Sequence, residues 1–238
     1  MRRAVATTTM VSSPTFDDGV PHERIDADEW EDIYVVGDVH GCLPELESLL
    51  DDLAPSADDL VVFVGDLIRK GPDSIGVVEL VRENDNFRSV RGNNEQKLLD
   101  GDVELDEFGE AEIEYVRSLP AAISWADALV VHGGVDPRKP LSEHSIDDLE
   151  TTRSLDPDGS YDRPFWFEEY DGPRRVFFGH TVLERPVERE WAVGLDTGCV
   201  YGGTLTAYEY RADEFVTRPS QRTDTSRSDD SIVTPRSH

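Results

Sequence analysis

The sequence predicts an α/β fold: two packed mixed β-sheets with helices outside. Three observations carry this. Short β-branched or aromatic runs such as Ile33-Tyr-Val-Val and Leu60-Val-Val-Phe-Val read as buried strands. In the first half these runs alternate with helical patterns, whereas strands dominate the second half, the pattern of sheets packed together and flanked by helices. Finally, the runs end on glycines beside Asp, His or Asn, as in Gly37-Asp38-Val39-His40-Gly41 and Gly65-Asp66. Ligands of open α/β sheets gather beyond the carboxyl ends of strands, so these residues are expected to converge.

Taken in order, residues 1–30 are polar, with Thr7-Thr8-Thr9 and Ser12-Ser13-Pro14, and are expected to be loose. A strand at 33–37 leads to a helix over 43–53, whose early Pro44 is tolerated in a first turn. A strand at 60–65 precedes a helix at 73–84, and a strand at 87–91 precedes helices at 95–100 and 110–118. Strands then follow at 122–125, 128–132, 175–179, 190–196 and 204–210. One domain over 31–215 is expected, and the polar run over 216–238 reads as a disordered tail. A chain of 238 residues that is 37% hydrophobic suffices for one such core.

Charge is the other bound. Asp and Glu total 51 against 23 Lys and Arg, a net of −28. Self-repulsion of this size weakens a fold at low ionic strength, and salt relieves it. Work in molar salt, as in an extreme halophile's cytosol, is the expected setting. The melting temperature is expected to rise between about 0.1 M and about 2 M KCl, where the Debye length falls below ~3 Å. A flat or falling melting curve would separate the acidity from salt adaptation. The same field argues against a nucleic-acid-binding surface. No apolar run approaches a membrane span, and the N-terminus lacks the apolar core of a secretory signal, so a cytoplasmic location is expected. Cys42 and Cys199 make no disulfide framework; each sits beside a glycine motif, as a small buried thiol or as half of a redox-sensitive pair.

Asp38 and His40, two apart on an extended segment, are expected to point the same way. A carboxylate with an imidazole suits Mn, Fe or Zn. Asp66 ends the adjacent strand, and two such carboxylates repel unless a cation lies between them. Its two oxygens suit a bridge between two metals. Asn93, His132 and His180, each beside glycine, complete a second candidate site.

The ordered motifs Gly37–Gly41, Gly65-Asp66, Gly92-Asn93-Asn94-Glu95, Val131-His132-Gly133-Gly134 and Gly179-His180-Thr181 resemble those of the calcineurin-like metallophosphoesterases. The stretches 65–74 and 195–208 are similar to the branch of phosphoprotein phosphatases and symmetrical diadenosine tetraphosphatases. The resemblance runs from Tyr34 to about Tyr210 and implies that family's α/β/β/α sandwich. It also implies two divalent cations, Mn²⁺ first with Fe, Zn, Ni or Co as alternatives. Asp38 and His40 would hold the first, Asp66 both, and Asn93, His132 and His180 the second. Water would attack phosphorus in line, without a covalent phospho-enzyme.

Three positions depart from the family pattern. The histidine of its GNHE motif is Asn94 here, the aspartate that orients that histidine is Arg69, and the phosphate-contacting arginine is Lys70. Asn94 takes the catalytic position but supplies no proton. Slower turnover or a substrate with a good leaving group is the consequence. Arg69 and Lys70 remain candidate phosphate contacts. Arg153 reads as a phosphate clamp or as a surface ion pair, and Asp196 as the partner that orients a metal-bound histidine. Phe165, Trp166, Phe167 and Tyr170 read as core, or as a wall for a nucleobase.

The leading expectation is therefore a two-metal phosphomonoesterase acting on phosphoserine and phosphothreonine proteins. Hydrolysis of dinucleoside polyphosphates is the alternative, and a metal-binding regulatory protein without turnover is the reading of another class.

Overall fold

The computed structural model describes residues 14–157 and 161–236. The first thirteen residues of the segment expected to be loose lie outside them. The strands are β1 (His22–Arg24), β2 (Ile33–Val36), β3 (Leu60–Phe63), β4 (Phe87–Ser89), β5 (Ala122–Trp125) and β6 (Ala128–Val131). They continue with β7 (Arg175–Phe178), β8 (Val187–Glu188), β9 (Ala192–Gly194), β10 (Thr204–Glu209) and β11 (Glu214–Pro219). The helices are α1 (Leu43–Leu53), α2 (Ser74–Glu83), α3 (Asn93–Leu99), α4 (Glu110–Ser118), α5 (Ile146–Thr151) and α6 (Trp166–Glu169).

Two mixed sheets form, in the orders β11-β10-β2-β3-β4 and β1-β5-β6-β7-β9-β8. Alternation along the strands builds the layers. Val35, Val62, Val130, Phe177 and Val193 meet in the cluster between the sheets. Their neighbours Val36, Val61 and Phe63 pack on α1 and α2, while Val131, Val176 and Phe178 pack beneath Trp166 and Leu149. Side chains on successive residues of a strand point to opposite faces, so each strand serves two layers. The result is the expected α/β/β/α sandwich.

Helix α1 shows how locally this is set. Leu46, Leu49 and Leu53 form its buried stripe, Pro44 sits in its first turn, and Ala54 ends it in the left-handed conformation.

Differences from expectation fall where pairing is long-range. The strand expected over 190–196 is shorter, β9 (Ala192–Gly194), and the unexpected β8 just before it pairs with it antiparallel. Residues 22–24, within the segment expected to be loose, pair in parallel with β5. The expected tail is also built in: β11 pairs with β10 through Pro219, and Val233 is 5% exposed and bonds Val182 and Glu184 through its main chain. A polar composition did not preclude order here because backbone bonds to neighbouring loops supply it. Among the described residues, no helix is long and apolar enough to cross a membrane.

Candidate metal centre

Six strands deliver the site from their carboxyl ends. Asp38 and His40 follow β2, Asp66 follows β3, Asn93 follows β4, His132 follows β6, His180 follows β7, and Asp196 follows β9. β2, β3 and β4 run parallel in one sheet, as do β6, β7 and β9 in the other, so all the ends open on one edge of the sandwich.

The loops there are strained. His40, Asp66, Arg69, Lys70 and His180 all have positive φ, between 51° and 70°. Most of the described non-glycine residues in that region thus lie at this edge, where the fold must hold them against about 1–3 kcal/mol each. His40 is therefore not on an extended segment with Asp38; a turn, not strand alternation, brings the two together. Glycine lets the loops close up. A Cβ at Gly179 would meet Asp38 Oδ1 at 1.9 Å, and one at Gly92 would meet Asp66 Oδ1 at 2.3 Å.

Donor atoms converge in two groups around Asp66. Its Oδ2 lies 3.5 Å from His40 Nε2, which lies 3.8 Å from Asp38 Oδ2. Ligand atoms of these three buried residues all fall within 4.8 Å of one another. On the other side, Asp66 Oδ1 lies 3.4 Å from His132 Nε2. Asn93 Oδ1 is 3.0 Å from both His132 Nε2 and His180 Nδ1. Second bonds fix the rings: His40 Nδ1 donates to the Ile68 carbonyl at 3.2 Å and His132 Nδ1 to that of Val64 at 2.8 Å. Each thereby turns Nε2 toward Asp66.

Electrostatics draw positive charge to Asp66. Burial, with Asp196 and Asp66 nearby, pushes the Asp38 carboxyl well above its usual range. Burial also acts to raise Asp66, yet His132, His40 and Lys70 outweigh it and hold that carboxyl well below. Burial opposes charge on His132, but Asp66 beside it draws its pKa up to about 10. Burial and Lys70 drive His40 down to about 3. Positive charge is thus demanded next to Asp66, and an oxygen-and-imidazole donor set suits divalent cations. The residues fit the pair of metals that the motifs imply.

The remaining expected residues divide. Lys70 Nζ lies 2.8 Å from His40 Nε2. Arg153 reaches in to His180, its Nη2 lying 2.7 Å from Nε2. Arg69 donates to Asn94 Oδ1 at 2.5 Å, and Asn94 Nδ2 donates to Asp66 Oδ2. Asp196 is corrected: its carboxylate accepts the Gly198 N–H at 3.1 Å, and no histidine is bonded to it among the described residues. It acts on the site through charge, raising Asp38. Phe165, Trp166 and Phe167 are core, at most 2% exposed, and the Trp166 indole donates to the Gly133 carbonyl beside His132. Cys42 and Cys199 are free, buried thiols.

Sequence reading gave no role to Glu95. Fully buried, it accepts the N–H groups of Asp66, Ile68 and Gly92 at 2.8–3.2 Å and so fixes the Asp66 loop on α3. Its position three residues after Gly92, at the N-terminus of α3, was the available signal.

Comparison with known proteins agrees with the geometry. The family model for calcineurin-like phosphoesterases matches residues 32–213. A relative from Halalkalibacterium halodurans, named as an asymmetrical bis(5'-nucleosyl)-tetraphosphatase, PrpE, is 31% identical over 79% of this chain and 94% of its own. Serine/threonine-protein phosphatase 1 of Salmonella typhimurium is 32% identical over 78% of this chain and 94% of its own. A crystal structure described as a putative diadenosine tetraphosphatase superposes with a TM-score of 0.76 at 31% identity, covering 84% of this chain and 98% of that one. The chain belongs to the calcineurin-like phosphoesterase family and is a metal-dependent phosphoester hydrolase.

Proposed function

We propose that this protein hydrolyses a phosphoanhydride of dinucleoside polyphosphates, with two divalent cations held by Asp38, His40, Asp66, Asn93, His132 and His180. One observation carries the choice of substrate: Asn94 stands where the family places a histidine, and its amide is committed to Asp66 and Arg69. An amide in that position releases no proton to a departing oxygen. A nucleotide phosphate leaves as a weakly basic anion and needs none, whereas the alkoxide of serine or threonine does. The names of the relatives from Halalkalibacterium and other bacilli support the same substrate class. Dephosphorylation of phosphoproteins is the second reading, favoured by the Salmonella relative.

The two cations, for which Mn²⁺ is the first candidate, would supply a nucleophilic water at neutral pH and neutralise charge on the phosphoryl group. The chain's own part is orientation. Glu95 holds the Asp66 loop, and Lys70 and Arg153 stand over the two donor groups as phosphate contacts. If His180 held a cation through Nδ1, its ring proton would sit on Nε2, and Arg153, a donor only, would turn from that nitrogen toward the substrate's phosphate while still reaching the His180 carbonyl.

The test is a substrate panel in molar KCl with Mn²⁺. Diadenosine tetraphosphate is expected to exceed a phosphoserine peptide in kcat/KM by at least ~10²-fold, the worth of a missing general acid. Preference for the phosphopeptide would hand the site to the second reading.

A further inference from the structure

We infer that Arg227 is a substrate-binding residue that grips a second phosphoryl group, one place along the polyphosphate chain from the group under attack. This rests on the phosphoanhydride reading above and names the part of the site that selects for it.

The residue comes from the segment that composition marks as tail. That segment is strapped across the site edge: the Asp224 and Thr225 N–H groups donate to the Val200 carbonyl at 3.1 and 3.2 Å, and the Thr225 hydroxyl to the Lys70 carbonyl at 3.1 Å. Val233 pins its far end beside the His180 loop by donating to the Val182 carbonyl at 2.8 Å. Between these anchors, Arg227 lies over two tyrosine rings, 4.9 Å from the centre of Tyr201 and 5.1 Å from that of Tyr161.

Each tyrosine leads to one side of the metal centre. The Tyr201 ring packs edge-on to His40 and lies 5.5 Å from Lys70 Nζ. The Tyr161 ring lies 4.2 Å from the Arg153 guanidinium, which reaches His180. Arg227 therefore sits one ring beyond both phosphate-contact candidates and links them.

Its hydrogen bonds hold it and leave it open. Nε donates to the Ser231 carbonyl at 2.8 Å, Nη1 to the Tyr201 hydroxyl at 3.1 Å, and Nη2 to the Tyr161 hydroxyl. A guanidinium has five N–H groups, so one remains on each terminal nitrogen, a fork matched to two phosphate oxygens. None of the ion pairs among the described residues involves Arg227, in a chain with 51 acidic and 23 basic residues. Arg153 already feels it: burial lowers the Arg153 pKa and the Arg227 charge adds to that. Two guanidiniums share the Tyr161 ring, and an anion placed between them would be held by both. A phosphomonoester offers this pair a single phosphoryl group, whereas a polyphosphate chain offers one to each guanidinium.

The test compares Arg227→Gln with the wild type as full chains loaded with Mn²⁺. The ratio of kcat/KM for diadenosine tetraphosphate to that for p-nitrophenyl phosphate is expected to fall at least about tenfold, chiefly through KM, as a charge-assisted bidentate contact implies. Arg227→Lys, which keeps the charge without the fork, should recover part of it. An unchanged ratio, whether both rates fall together or neither moves, would overturn the assignment. If the wild type hydrolyses no dinucleoside tetraphosphate, the substrate reading fails by itself. Inhibition of p-nitrophenyl phosphate hydrolysis, with metal in excess, then decides Arg227. The Ki of inorganic tripolyphosphate must rise in Arg227→Gln relative to that of orthophosphate, and parallel Ki values would refute the site.

Discussion

Asp66→Asn is expected to lower kcat by roughly 10³-fold or more, since several kcal/mol of charge stabilisation depend on it. Its two oxygens face opposite donor groups, 3.5 Å from His40 and 3.4 Å from His132, and an amide offers a cation only one of them. The fold should survive, because Asp66 is positioned through its main chain by Glu95. Metal content measured by elemental analysis should drop along with the rate. Full occupancy with undiminished turnover would remove Asp66 from the centre.

The second large effect concerns leaving groups. If nothing protonates the departing oxygen, the wild-type rate should depend steeply on leaving-group pKa. p-Nitrophenyl phosphate would then far outpace phosphoserine. Asn94→His alone is expected to help little, because Arg69, now 2.5 Å from the Asn94 oxygen, would face the new imidazole with another donor and keep it uncharged. Asn94→His with Arg69→Asp supplies an orienting carboxylate and should accelerate alkyl esters by ~10²–10⁴-fold, the usual worth of a positioned acid. Aryl esters should gain little, so the dependence flattens. A shallow dependence in the wild type, with no gain in the double variant, would show that Asn94 costs the enzyme nothing.

Both predictions combine two sources. That Asn94 replaces a histidine is plain in the sequence; that its amide is spent on Asp66 and Arg69 emerges only in three dimensions. The same division runs through the molecule. Asp38, His40, Asp66, Asn93, His132 and His180 were legible because each follows a strand closely, beside glycine. A parallel sheet brings such ends together whatever lies between them. The apolar runs likewise specified β2, β3, β6 and the Val176–Phe178 part of β7, because burial on both faces favours apolar side chains there. Local patterning also sufficed for α1, whose leucine stripe and early proline are both short-range signals.

Tertiary structure decided what depends on partners far along the chain. Residues 22–24 become a strand only because β5, about a hundred residues later, offers its edge. The polar run after Pro219 is ordered by bonds to Val182, Val200 and Lys70, none of which its own composition announces. Arg227 was unremarkable among the arginines until that strap laid it across Tyr161 and Tyr201. Sequence by itself determined the candidate donor residues and the family, since strand ends and glycine turns are encoded within a few residues. Which charges surround the phosphate was left to the tertiary fold, because a guanidinium's neighbours are set by chain closure over long separations, and no local pattern records them.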